Sequence, residues 1–163
     1  MDLELSLSDH ADLEAPAYAL LLATIPCWEC RSVTPTAALW VPNYVEHDEE
    51  GEPYPGDGAA VLHYIQGLDA GTFVHLRQVA PWLRPASTQM SGMRYLAHHC
   101  GSCNAVQGDH FVFGPDGPYF PQDDAAIAAF QVVPGVGALR AVATVGGSGW
   151  MDRVSASKKK LSP

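Results

Sequence analysis

Cys27-Trp28-Glu29-Cys30 and Cys100-Gly101-Ser102-Cys103 decide how this sequence is read. Two thiolates three positions apart can grip one ion when the chain makes a tight turn between them. Two such turns complete a tetrahedral shell with zinc–sulfur distances of about 2.3 Å. Each pair sits where a turn is expected. The first follows a strand-like run, Ala17–Ile25, and Pro26; the second contains Gly101 and is followed by Asn104, a residue that tolerates the left-handed conformation. The expected ligands are therefore Cys27, Cys30, Cys100 and Cys103, around one zinc per chain. Four protein ligands leave no open coordination position, so this zinc is structural rather than catalytic. It would join two distant segments of chain and contribute to folding.

The 69 residues between the pairs (31–99) far exceed the spacing of compact ribbons, about 15–20 residues. The expected architecture is α+β and β-rich: zinc-ribbon-like hairpins with a large insertion and a few short helices. Three alternatives stay open at the site. His98 or His99 could replace a cysteine, iron also suits four thiolates, and Cys100 and Cys103 superficially match a thioredoxin-type pair. That last motif needs a helix directly after it, whereas Asn104–Phe113 contains Gly108 and ends strand-like.

The stretch Tyr95 to Phe113, which contains HCGSCNAVQGDHF from His99 to Phe111, together with the first Cys pair, resembles the knuckles of small, uncharacterised bacterial zinc-ribbon-like proteins. In those a Cys pair is followed by a Gln-Gly-Asp step into a strand with an aromatic close behind. The likeness covers about a seventh of the chain and implies zinc binding, with no activity attached to it.

Composition bounds the rest. The chain has 163 residues, 47% apolar and 17% charged, enough for one domain with a real core. Thirteen Pro and fifteen Gly favour many short elements over a helical bundle. Residues 1–154 read as a single zinc-stapled domain and 155–163, with Lys158, Lys159 and Lys160, as a flexible basic tail. Strands are expected at Ala17–Ile25, Ala37–Val41, Ala59–Ile65, Gly71–Leu76, Met93–His98, His110–Phe113 and Leu139–Val145. Helices are expected at Arg77–Leu83 and Asp123–Phe130. The longest apolar run, Tyr18–Pro26, is too short for a membrane helix. Acids precede it where a secretion signal carries positive charge, so a cytoplasmic protein with reduced cysteines is expected.

Charge is lopsided. The net is −9, and residues 1–57 hold 12 acids against one base. The densest stretch lies in an acidic loop, 43–58, with Asp48, Glu49, Glu50 and Glu52. Generic binding to a phosphate backbone needs the opposite sign. No Walker, HExxH, complete nucleophile-elbow or dinucleotide motif is present, and the histidines are scattered. This profile suits a non-enzymatic interaction protein whose acidic loop masks a basic partner, as bacterial immunity proteins do with toxins. The alternative is an enzyme or nucleic-acid module using the ribbon as scaffold, with sites drawn from His75, Asp109 or His110.

Overall fold

The structure, a computed structural model, describes residues 3–5, 10–87 and 92–157. It is β-rich α+β, with 44% strand and 17% helix. The strands are β1 (Glu4–Leu5), β2 (Leu13–Ala15), β3 (Ala19–Pro26), β4 (Val33–Val41), β5 (Val45–His47), β6 (Pro53–Pro55), β7 (Ala60–Asp69), β8 (Leu83–Ser87), β9 (Arg94–His99), β10 (Val106–Gln107), β11 (Gln131–Pro134) and β12 (Leu139–Gly147). The helices are α1 (Ala70–Val79), α2 (Asp109–Val112), α3 (Asp124–Ala128) and α4 (Gly149–Ser157). One large sheet runs β11-β3-β4-β7-β12-β2-β5-β6, with β1 added in parallel to β7. A small sheet runs β10-β9-β8.

The large sheet is covered on both faces, which explains why its central strands are near-continuous apolar runs. Successive side chains of a strand point to opposite faces. Leu20, Leu39 and Leu62 accordingly join one core, with Leu76 of α1, Leu83 of β8 and Leu96 of β9. Their neighbours Leu21, Trp40 and Val61 join a second core, with Val112, Ile127, Trp150 and Val154 from the helices. The molecule is thus three layers: α1 and the small sheet, the large sheet, then α2, α3 and α4.

The structure corrects several sequence expectations. Gly71–Leu76 is helix, because the Asp69 carboxylate accepts from the Thr72 N–H at 3.1 Å and caps α1. The helix expected over Arg77–Leu83 is instead the end of α1, a turn through Pro81, and the start of β8. His110–Phe113 is not a strand either. The chain turns into the single-turn α2 after Gly108, burying Asp109 and Val112. The helix expected at Asp123–Phe130 is present as α3, capped by Asp123, which accepts from the Ala126 N–H at 2.8 Å. Helix α4 reaches Ser157; residues 158–163 of the expected tail lie outside the described residues. Among the described residues no helix is long and apolar enough to cross a membrane.

Two buried polar side chains stitch the layers together. His98 of β9 places Nε2 3.0 Å from both the amide nitrogen and the carbonyl oxygen of Ala37 on β4. Asp109 of α2 accepts from the Tyr64 N–H of β7 at 2.6 Å. That bond replaces a ladder partner lost at a bulge, where Val142 pairs with Gly67 but Thr144 pairs with His63. The Nδ1 of His98 and the free oxygen of Asp109 lie 3.9 Å apart, without hydrogen bonds of their own. Burial pushes Asp109 up to about 7, against the Tyr64 bond that lowers it. Burial brings His98 down to about 4.

These shifts oppose one another. Between about 4 and about 6.5 the unfolded chain carries an ionised Asp and a charged His, while the folded chain holds that one proton on Asp109. Protons bound are equal in the two states, so the pair adds little pH dependence there. Asp109→Asn removes the compensation: the unfolded state then binds more protons through His98, and stability relative to wild type rises with pH across this window. His98→Gln does the reverse, because the folded state binds more protons through Asp109. Denaturation midpoints of the three proteins from pH 4 to 7 check this; parallel curves would contradict it.

Candidate metal centre

The first Cys pair forms the turn between β3 and β4, and the second the turn between β9 and β10. The two turns repeat one another atom for atom in their backbone bonding. Cys27 N–H donates to Ser32 C=O at 2.8 Å and Arg31 N–H to Cys27 C=O at 3.0 Å. Cys100 N–H donates to Ala105 C=O at 2.9 Å and Asn104 N–H to Cys100 C=O at 3.0 Å. Arg31 and Asn104, in matching positions, are left-handed with φ of 69° and 68°. Asn adopts this conformation readily, whereas Arg does so at a cost of about 1 kcal/mol.

These turns aim amides at sulfur. Cys27 Sγ accepts from the N–H groups of Glu29 (3.3 Å) and Cys30 (3.4 Å). Cys100 Sγ accepts from those of Ser102 (3.3 Å) and Cys103 (3.5 Å). In each turn the first cysteine is buried and the second exposed.

All four sulfurs lie within 4.8 Å of one another. Cys27 and Cys103 are 3.6 Å apart, Cys30 and Cys100 3.7 Å. A disulfide needs about 2.05 Å. A tetrahedron of sulfurs about 2.3 Å from a central ion has edges of about 3.8 Å. The spacing therefore fits a four-thiolate metal site and excludes two disulfides in this arrangement. Without a cation, four thiols this close cannot all ionise. Burial raises the Cys27 thiol, but the Cys30 and Glu29 amides outweigh it and bring it down to about 6. Cys103 is pushed up to about 12: the Ala105 amide acts to lower it, and desolvation with the surrounding sulfurs overrides that effect.

Two side chains missed by the sequence reading lock the turns together. Gln107 is fully buried; its Nε2 donates to Cys27 Sγ at 3.3 Å and to Ala105 C=O at 3.0 Å, while its Oε1 accepts from Trp28 N–H at 3.3 Å. In the opposite direction, Thr34 Oγ1 accepts from Gly101 N–H at 3.2 Å. Each of these residues stands seven positions after the first cysteine of its own turn and reaches across to the other. That shared offset was the available signal. Trp28 Nε1–H adds a further crossing bond to Val106 C=O at 2.7 Å, and Arg84 of β8 donates to the Asn104 side chain.

The histidines beside the second turn face elsewhere. His98 bonds Ala37, and His99 Nδ1 bonds the carbonyls of Ala97 and Trp82 at 2.9 and 3.3 Å. The four cysteines can hold a metal ion by themselves. The chain after Cys103 enters β10, not the helix that a thioredoxin-type pair requires. Of the other residues singled out, Asp109 is buried in the layer contact and His110 is exposed. His75 lies on α1, bonded to Tyr18 Oη at 2.7 Å.

The acidic residues are not brought to this site. They lie on the β5–β6 hairpin at the far edge of the sheet, with β7, β12 and β2 between it and the β3–β4 hairpin. Asp48 has a structural task there, accepting from the N–H groups of Glu50 (3.0 Å) and Glu52 (2.8 Å). Glu49, Glu50 and Glu52 are exposed. Compared with protein-family models, curated proteins and solved structures, the chain matches none of them. The likeness to zinc ribbons rests on the cysteine geometry alone.

Stripping bound metal with a chelator lowers stability by about 3 kcal/mol or more, roughly 10 °C in Tm for a chain of this size. A calorimetric scan that does not move would contradict it. Gln107→Leu leaves the Trp28 amide without its acceptor and takes from the Cys27 sulfur one of its three N–H donors. Metal affinity, measured by competition with a chromophoric chelator, drops about 10-fold or more.

Proposed function

We propose that this protein is a zinc-stapled, non-enzymatic interaction protein that works in the cytoplasm. The observation that carries the proposal is the closed shell of Cys27, Cys30, Cys100 and Cys103, whose sulfurs stand at tetrahedral spacing with no place left for substrate or water. Zinc is the ion assigned, since four thiolates in a tetrahedron satisfy it fully. Its task is mechanical: it ties the β3–β4 hairpin of the large sheet to the β9–β10 hairpin of the small one.

The finer reading is an immunity or inhibitor protein that masks a basic partner such as a cationic toxin. Its support is the charge distribution and the hairpin that displays it. Glu49, Glu50 and Glu52 project from a short β-ribbon whose tip is fixed by Asp48. Such a ridge speeds capture of a cationic surface and rejects acidic ones.

The test reverses charge only where the hairpin does not need it: Glu49→Lys, Glu50→Lys and Glu52→Lys together, leaving Asp48 in place. A partner captured from host lysate and identified is then titrated with both proteins. The reading expects a basic partner, binding about 10-fold weaker after reversal and with a shallower salt dependence. Unchanged affinity and salt slope would overturn the role of the hairpin.

A further inference from the structure

Beside the two cysteine turns, which contribute Trp28, Ala105 and Val106 to its wall, lies a cavity of about 580 Å³. Four aromatic residues from four different elements line it: Trp28 of the first knuckle, Tyr64 of β7, Tyr95 of β9 and Phe111 of α2. We propose that this cavity binds a methylated ammonium group, either the head of a free quaternary-ammonium molecule or a trimethyl-lysine side chain. The inference is independent of the partner proposed for the hairpin.

The rings are held in place by specific means. Trp28 is 55% exposed, yet its indole N–H is fixed to Val106 C=O at 2.7 Å. Tyr64 sits in the bulge of β7 with φ of +50°, a conformation costly for a bulky side chain. The Asp109 carboxylate holds its N–H at 2.6 Å, and its ring meets Tyr95 edge-on at 5.0 Å. A bulge that strains one residue and re-aims its side chain commonly stands next to a binding site. Phe111 is 38% exposed on α2, whose first residue is that same Asp109. Two large aromatic side chains thus remain open to solvent across a cavity whose floor is the fully buried Tyr95.

Charge selects the ligand class. Among the described residues no Lys, Arg, Asp or Glu lines the cavity, and His110 is the one basic side chain there. An anion would find no ion partner there, in a chain of net charge −9. The negative faces of aromatic rings attract a cation, most strongly where water is excluded. A bare ammonium needs hydrogen-bond acceptors to replace its water, and these apolar walls supply few. A methylated ammonium needs none: its charge is spread over methyl groups that pack against rings.

The test uses the purified full chain with its bound metal. Choline chloride, N-acetyl trimethyl-lysine amide and the neutral carbon isostere of choline, with tert-butyl in place of trimethylammonium, are titrated while the Trp28 indole N–H signal is followed by NMR. Sodium chloride at matching concentration is the control. The proposal expects a saturable shift with at least one cation, binding about fivefold or more tighter than the isostere, and an equal loss in Phe111→Leu. Tighter binding of the lysine derivative than of choline assigns a modified protein as the source; the reverse assigns a free small molecule. The proposal is overturned if the isostere binds as well as the cations. It is likewise overturned if neither cation exceeds the salt control, or if a folded Phe111→Leu binds undiminished.

Discussion

Four sulfurs drawn within 4.8 Å of one another, from turns 69 residues apart in sequence, are the constraint on which the other contacts depend. Left as thiols they gain only weak contacts, and left as thiolates they repel. A divalent cation at their centre converts that repulsion into attraction, and the turns are prepared for it. Four backbone amides and the Gln107 side chain already point at the two buried sulfurs. Donors that favour the charged thiolate lower the cost of deprotonating it, which metal binding requires.

From this joint the layers follow. The β3–β4 hairpin belongs to the large sheet and the β9–β10 hairpin to the small one, so a metal held by the four cysteines would fix the small sheet against the face holding Leu20, Leu39 and Leu62. His98 and Asp109 continue the joint inward, one reaching β4 and the other β7. The same carboxylate that closes the layer contact holds the strained Tyr64. Metal joint, layer contact and aromatic cavity are therefore one connected piece of structure. The acidic hairpin stands apart from it, at the other end of the sheet, where its charge disturbs none of these contacts.

The sequence made the cysteine site legible because the chemistry is local: three-residue spacing, a turn, and Asn104 after the second pair. It also made β3, β4, β7, β9 and β12 legible, since strands covered on both faces are written as apolar runs. It misled at Gly71–Leu76 and His110–Phe113, where β-branched and aromatic residues imitate strands. There a single capping carboxylate, Asp69, and a turn at Gly108 tip the chain into helix. Gln107 and Thr34 were missed for another reason: their partners lie across the fold, and only the equal seven-residue offset hints at them. Helix α4 went unread because Gly146-Gly147-Ser148-Gly149 resembles loop, although Trp150, Met151 and Val154 behind it bury one face against the sheet.

The most direct measurement is metal content by mass spectrometry on reduced, tag-free protein, with thiols counted before and after denaturation. The account predicts one zinc per chain and four thiols that react only once denaturation releases the metal, the exposed Cys30 and Cys103 included. Protein that carries no metal and oxidises readily to two disulfides would contradict it, and the joint between the two sheets would need another explanation.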